Sequence, residues 1–301
     1  MPEVKTQTSQ TKSNHSHRLA VIADIHGILP SLETVLAEIM ADPPDEIIVA
    51  GDIVGGSHPH QTLALLREHN CRMILGNGEV NMLRMDGGTA PDAWWTARQF
   101  DLGRWIYHHL EKEDLDFLAG LPEQLTIEIE NTEPIRVVHG SPQDINKLML
   151  PEKEADVVKI ALEYIRENIL IFGHTHKPGI YRHNGKLAVN PGAVGNNLIG
   201  EPQLSYAILG WNGQAWEPEI HTLQPDFEKI KQSFIRAGFL EGTRPLGRAH
   251  LESIFTGENT AVDFILHAVD LAHQAGLSEF KTIPDAFWLQ AEDSFPWQFD
   301  L

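Results

Sequence analysis

The chain has 301 residues, room for one large domain or a large domain with an appendage. It carries 23 Lys and Arg against 42 Asp and Glu, and the resulting net charge of −19 opposes binding to nucleic acid or to an anionic membrane, so an anionic substrate must be drawn in by a local charge such as bound cations. The single cysteine, Cys71, excludes an intramolecular disulfide and fits a reducing compartment, no apolar run approaches a membrane span, and the expected location is the cytoplasm.

Residues 1–17, "MPEVKTQTSQTKSNHSH", have no apolar segment and read as a flexible polar leader, with His15 and His17 part of it rather than metal ligands. "RLAVIAD" follows as a buried strand, and "PSLETVLAEIMA" as a helix whose Leu32, Val35, Leu36 and Ile39 share one face. "EIIVAGD" is the next strand, "HPHQTLALLREHN" the next helix and "CRMILGN" a third strand. This alternation predicts an α/β layered fold with a parallel sheet. From Asp92 to Ala119 the pattern is helical. "QLTIEIE", "IRVVHG" and "ILIFGH" then read as strands, the last two separated by the helical "EKEADVVKIALEYIREN". "GIYRH", "KLAVN", "QLSYAILGW" and "AWEPEIHTL" come at short intervals and suggest an antiparallel second sheet. From Asp226 onward three or four helices are expected, with an aromatic end. The boundaries are thus a leader over 1–17, a main domain over 18–225 and a helical extension over 226–301.

The residues just after the strands form a pattern. The first strand ends in Asp24 and His26, the second in Asp52, the third in Asn77, and later ones in His139 and in His174 with His176. Ligand-binding residues of α/β sheets gather beyond the carboxyl ends of the strands, so these seven can converge. Taken singly, a histidine near a strand end is more often a structural residue, and "GD" is common turn chemistry. Five such motifs on five successive strand ends are not a coincidence of that kind. Imidazole and carboxylate without thiolate suit Mn, Fe, Co, Ni or Zn rather than Ca. Seven ligands exceed one open metal site, and two metals sharing a carboxylate fit better, with His174 and His176 on different metals.

The order "DIH", "GD", "GNGE", "HG" and "GHTH" resembles the signature of the calcineurin-like metallophosphoesterase superfamily, over roughly Arg18 to Leu223. "VNPGAVG" is similar to the turn that follows the family's last metal histidine. Within the superfamily the chain resembles bacterial and archaeal phosphodiesterases related to diadenosine tetraphosphatase. The resemblance implies an α/β (α+β) fold, a four-layer αββα sandwich of two mixed sheets flanked by helices, here with added C-terminal helices. It implies two divalent transition metals, Mn first, with Fe, Ni, Co or Zn as alternatives. Asp24, His26, Asp52 and His176 would hold one metal, and Asp52, Asn77, His139 and His174 the other, with Asp52 bridging. A hydroxide between the metals is then the expected nucleophile.

One position departs from that signature: Gly78 stands where most of the family has a histidine thought to protonate the leaving oxygen. Three readings follow. His58 and His60 in "GGSHPH", or less favourably Glu79, replace it; the substrate has a leaving group that needs little protonation; or activity has been lost and the metals kept. A helix-capping loop without catalytic part is the competing account of His58 and His60. Relatives that lack the histidine are active, and Gly78 leaves room for a larger ester group. The expected function is therefore a phosphodiesterase acting on a small-molecule phosphate ester, a nucleotide being one candidate. The alternatives are a phosphomonoesterase or nucleotidase, or a weakly catalytic metal-binding scaffold. Arg98, Arg104, Trp94, Trp95 and Trp105 are candidates for substrate contact against helix surface or core packing. The aromatic C-terminal end, Phe287 to Phe299, is expected to cap the main domain, to form an interface in a homo-oligomer, or equally to pack as an apolar tail on its own chain.

Overall fold

A computed structural model describes residues 16–299. The elements alternate from the start: β1 (His17–Ile22), α1 (Leu29–Ala41), β2 (Glu46–Val49), α2 (Pro59–Glu68), β3 (Arg72–Met73) and α3 (Asn77–Asp86). There follow α4 (Asp92–Thr96), α5 (Asp101–His108), α6 (Lys112–Ala119), β4 (Gln124–Ile127), β5 (Ile135–Val138), α7 (Val157–Tyr164), β6 (Ile169–Ile171), β7 (Gly179–His183), β8 (Lys186–Asn190), β9 (Leu204–Trp211) and β10 (Trp216–Leu223). The chain closes with α8 (Phe227–Arg236), α9 (Phe239–Gly242), α10 (Leu246–Thr256), α11 (Thr260–Gln274) and α12 (Asp285–Ser294). His17 opens β1 and so leaves the expected leader, whose residues 1–15, with His15, lie outside the described residues.

Two mixed five-stranded sheets form, in the orders β10-β9-β1-β2-β3 and β4-β5-β6-β8-β7. In the first, β1, β2 and β3 run parallel and β9 joins β1 antiparallel; in the second, β5, β6 and β8 run parallel with antiparallel edges. The four late strands expected to make one antiparallel sheet are instead shared out. β7 and β8 complete the second sheet, while β9 and β10 complete the first. The cause is burial: seven of the eight residues of β9 are buried, which only a position inside the first sheet satisfies.

Alternation along each strand builds the layers. Leu19 and Val21 of β1 face Ile135, Val137, Ile169 and Ile171 of the opposite sheet, in one apolar cluster between the sheets. Ala20 and Ile22 point the other way, into a larger cluster under the helices. Beyond the second sheet, Leu170 and Phe172 pack on Val157, Ala161 and Leu162 of α7. The result is the expected helix–sheet–sheet–helix sandwich.

Helix boundaries differ from the sequence pattern in informative places. α3 is unexpected, and begins because the Glu79 carboxylate accepts from the Gly76 amide at 2.7 Å, satisfying a helix-end donor. The helical run Asp92–Ala119 breaks into α4, a 3-10 turn over Arg98–Phe100, α5 and α6. The extension contains five helices among the described residues rather than three or four. Its Ile230, Phe234, Phe239, Leu251 and Ile254 lie in the same apolar cluster as Leu32, Val35 and Ile106, so α8 to α10 share the main core. α10 to α12 add a cluster of their own around Leu246, Phe264 and Trp288, with Trp297 stacked on Phe264. The aromatic end thus packs on its own chain. No helix among the described residues is long and apolar enough to cross a membrane.

Candidate metal centre

The carboxyl ends of β1, β2, β3, β5 and β6 point to one place, and all seven residues read from the strand ends meet there. Asp24, His26 and His176 present ligand atoms within 4.8 Å of one another, as do Asp52, His139 and His174. The Asp52 carboxylate lies between the groups, with Oδ2 3.7 Å from His26 Nε2 and Oδ1 3.5 Å from His139 Nε2. Asn77 Oδ1 lies 3.0 Å from His139 Nε2. His26 Nε2 and His176 Nε2 are 2.9 Å apart, and His176 Nε2 is 3.7 Å from Asp24 Oδ1.

The backbone is bent to make this possible. Asp24, His26, Asp52, His174 and His176 all have φ between 50° and 68°, a region that costs a side-chain-bearing residue energy. Backbone bonds between loops hold them there: the amides of Ile25 and His26 donate to the Asp52 carbonyl at 2.8 and 3.0 Å, and the Gly173 amide to the His139 carbonyl at 2.8 Å. Gly76 is required by close approach, because a side chain there would collide with the Asp52 carboxylate.

Each of three imidazoles donates one ring N–H to a backbone carbonyl: His139 Nδ1 to Ala50 at 2.8 Å, His176 Nδ1 to Asn196 at 2.8 Å and His174 Nε2 to Asn146 at 3.1 Å. That fixes the tautomer and leaves the other nitrogen's lone pair for a ligand. Asp52 Oδ1 accepts the Gly78 amide at 2.8 Å, and Asp24 accepts the His174 amide at 2.9 and 3.1 Å.

The electrostatics call for positive charge. Asp24 and His139 are buried. Burial pushes the Asp24 carboxyl well up, His139 offsets part of this, and the Asp52 charge adds to it. Burial opposes a charge on His139, but the Asp52 and Asp24 carboxylates outweigh it and raise its pKa to about 10; burial likewise opposes a charged Asp52, and His139 outweighs it and holds Asp52 low. Burial, then the His26 charge, takes His176 well below the imidazole range, so its ring is neutral. Neutral imidazoles, buried carboxylates and a carboxamide oxygen, without thiolate, fit divalent transition cations, which would replace the proton that His139 shares with Asp52.

Glu79, which the sequence offered only as a less favoured proton donor on the leaving-group side, is instead a supporting residue. Fully buried, it accepts from the amides of Asp52, Ile53, Val54 and Gly76 at 2.7–2.9 Å and so ties the Asp52 loop to the start of α3. Burial, then the Asp52 charge, raises its pKa to about 7, while the Val54 and Gly76 amides favour its ionised form. With its oxygens so used, it does not face a leaving group. Capping-box spacing from Gly76 was the available signal. Asn190, in "VNPGAVG", holds the "GHTH" loop by donating to the Gly173 carbonyl and Thr175 Oγ1, both at 3.0 Å.

The centre forms one end of a cavity of about 800 Å³ whose other walls include Met82, Trp94, Phe100, Leu246 and His250. His58 and His60 do not line it. His58 opens onto a separate cavity of about 310 Å³ with Gln61, His109 and Arg236, its Nδ1 2.7 Å from Ser57 Oγ. His60 is tied at 2.7 Å to Asp114, which caps α6. Their expected place on the leaving-group side therefore gives way to structural roles. Arg104 lines the cavity, but its guanidinium serves Asp101 and the carbonyls of Trp94 and Ala97, and Arg98 pairs with Asp285 at 3.4 Å. Trp105 is core and Trp95 packs edge-on to Tyr107, away from the cavity.

The profile of the calcineurin-like phosphoesterase superfamily domain matches residues 18–213. An uncharacterized protein of Methanocaldococcus jannaschii is 27% identical over 238 residues, covering 72% of this chain and 92% of that protein. The crystal structure of a metallophosphoesterase from Sphaerobacter thermophilus superposes with a TM-score of 0.66 at 25% identity, covering 80% of this chain and 99% of the other. A hypothetical protein from Pyrococcus horikoshii shares the fold with the same TM-score of 0.66 at 18% identity, covering 80% of this chain and 98% of its own.

Proposed function

Because the chain belongs to the calcineurin-like phosphoesterase superfamily, we propose that it hydrolyses phosphodiesters with two divalent cations, Mn foremost, held by the seven strand-end residues. One cation would take Asp24, His26, Asp52 and His176, and the other Asp52, Asn77, His139 and His174. The observation that carries the reading is the position of Asp52, within 3.7 Å of His26 in one group and 3.5 Å of His139 in the other. When bound, such cations supply Lewis-acid polarisation of phosphoryl oxygens and ionisation of water near neutral pH, at a pKa of roughly 7.

The chain's own residues prepare that chemistry. The carbonyls of Ala50, Asn146 and Asn196 hold three imidazoles in the ligating tautomer, and the Gly78 amide orients Asp52. Asn77 adds an oxygen without charge, so the site stays positive toward a phosphate inside a protein of net charge −19. Gly78 borders the cavity, and the absence of a side chain there leaves space for the second ester group of a diester. The test strips the protein of metal, restores Mn, and compares bis(p-nitrophenyl) phosphate with p-nitrophenyl phosphate. Higher kcat/KM on the diester, dependent on added metal, is expected. Bound metal without turnover of either ester would replace the hydrolase by a metal-binding scaffold.

A further inference from the structure

Of the extension residues that line the cavity, His250 stands against a ring of the centre. His250, on α10, lines the same cavity as Gly78 and the cluster, and its ring stands edge-on to that of His26 with centroids 6.1 Å apart. Phe234 and Phe239, both fully buried, back it at 5.9 and 6.2 Å, so the ring has a rigid bed. His250 is half-buried, and among the described residues its ring nitrogens form no hydrogen bond.

We propose that His250 is a substrate-contacting residue of the centre, donating a ring N–H to the ester oxygen of a bound phosphodiester on the side left open by Gly78. The inference rests on the hydrolase reading and deepens it. An imidazole N–H is a donor, and a donor beside an oxygen that gains charge in the transition state accelerates the step by electrostatic stabilisation. His250 keeps its proton throughout: the contact is a hydrogen bond, and the leaving oxygen takes its proton from water. The role lost at Gly78 is thereby partly supplied from a distant segment. His250 is 172 positions later in the chain and follows none of the motif strands.

The experiment uses the full chain loaded with Mn and the variants His250→Phe, which keeps a ring without a donor, and His250→Gln, which keeps an N–H. Hydrolysis is measured on ethyl aryl phosphates with phenols of graded acidity, and inorganic phosphate affinity by calorimetry. His250→Phe is expected to lower kcat/KM for the least acidic phenol by about 10- to 100-fold, the worth of one hydrogen bond to a charged group, and less for p-nitrophenol. The dependence on leaving-group acidity thus steepens, a change that a packing role would not produce. Phosphate binding weakens in parallel, His250→Gln retains most of both, and metal content stays at the wild-type level. Unchanged leaving-group dependence and phosphate affinity in His250→Phe overturn the proposal. If His250→Phe does not fold, His250→Gln and His250→Asn decide, since equal losses in both without a steeper dependence overturn it too. A wild type that binds phosphate but cleaves no ester sinks the hydrolase reading alone, with His250 then judged by phosphate affinity. One that does neither sinks both.

Discussion

Glu79 shows how a residue that touches no ligand can set a site. Its four amide partners bring the turn carrying Asp52 against the start of the helix carrying Asn77. Glu79→Gln keeps the volume but turns one acceptor into a donor facing those amides. The expected outcome is a loss of about 2–3 kcal/mol in urea denaturation and of about 10- to 100-fold in Mn affinity by calorimetry. A variant with wild-type affinity would remove Glu79 from the support of the site. Cys71 illustrates the opposite case, a residue set wholly by its surroundings. Burial pushes its thiol up from 9.0 to about 12. The unfolded chain therefore gives up this proton first as pH rises, so stability is unaffected below about pH 9 and falls between about 9 and 12. Cys71→Ala should flatten that part of a stability-against-pH curve, and a curve identical to the wild type's would show that the thiol is not responsible. The same burial predicts no alkylation by iodoacetamide at neutral pH until the chain is unfolded.

At the scale of elements, the strand ends were legible and the supports were not. Asp24, His26, Asp52, Asn77, His139, His174 and His176 each follow a short apolar run, and the rule that parallel strands gather ligands at their carboxyl ends places them together without a structure. His250 and Asn146 follow no such run; they reach the site only through the path of the chain in space, which no local spacing records. His58 and His60 were drawn to the site by closeness to Asp52 in sequence. In the fold, the turn after Asp52 carries them instead to the start of α2, where His60 meets the Asp114 carboxylate of α6. The division of the late strands between two sheets was hidden for a related reason, since pairing partners are chosen by burial on both faces and not by sequence order. His60→Ala should cost about 1 kcal/mol of stability through the lost α2–α6 tie. Its kcat/KM on bis(p-nitrophenyl) phosphate should stay near the wild-type value. A large fall in kcat at unchanged melting temperature would restore His60 to the reaction.

Across the whole molecule, the boundary read near Pro225 separates segments of sequence but not of packing. Phe234 and Phe239 lie among the side chains of α1 and α5, and His250 stands on them. The helical extension is thus wall and foundation for the cavity at once. The net charge of −19 acts at this scale too, because it repels anions everywhere except where the proposed cations would be held. A last consequence lies in how the proposed ligands are divided. Asp24, His26, Asp52 and Asn77 hang from one sheet, and His139, His174 and His176 from the other, so each leaf of the sandwich owns an incomplete set. Cations held there as proposed would rivet the leaves together, adding about 2.7 kcal/mol each at a hundredfold excess over the dissociation constant. Chelation with EDTA should then lower the melting temperature by about 5–10 °C and speed hydrogen exchange at the ends of β1 and β6 in step, whereas an unmoved melting temperature would mean that the leaves stay joined without a rivet.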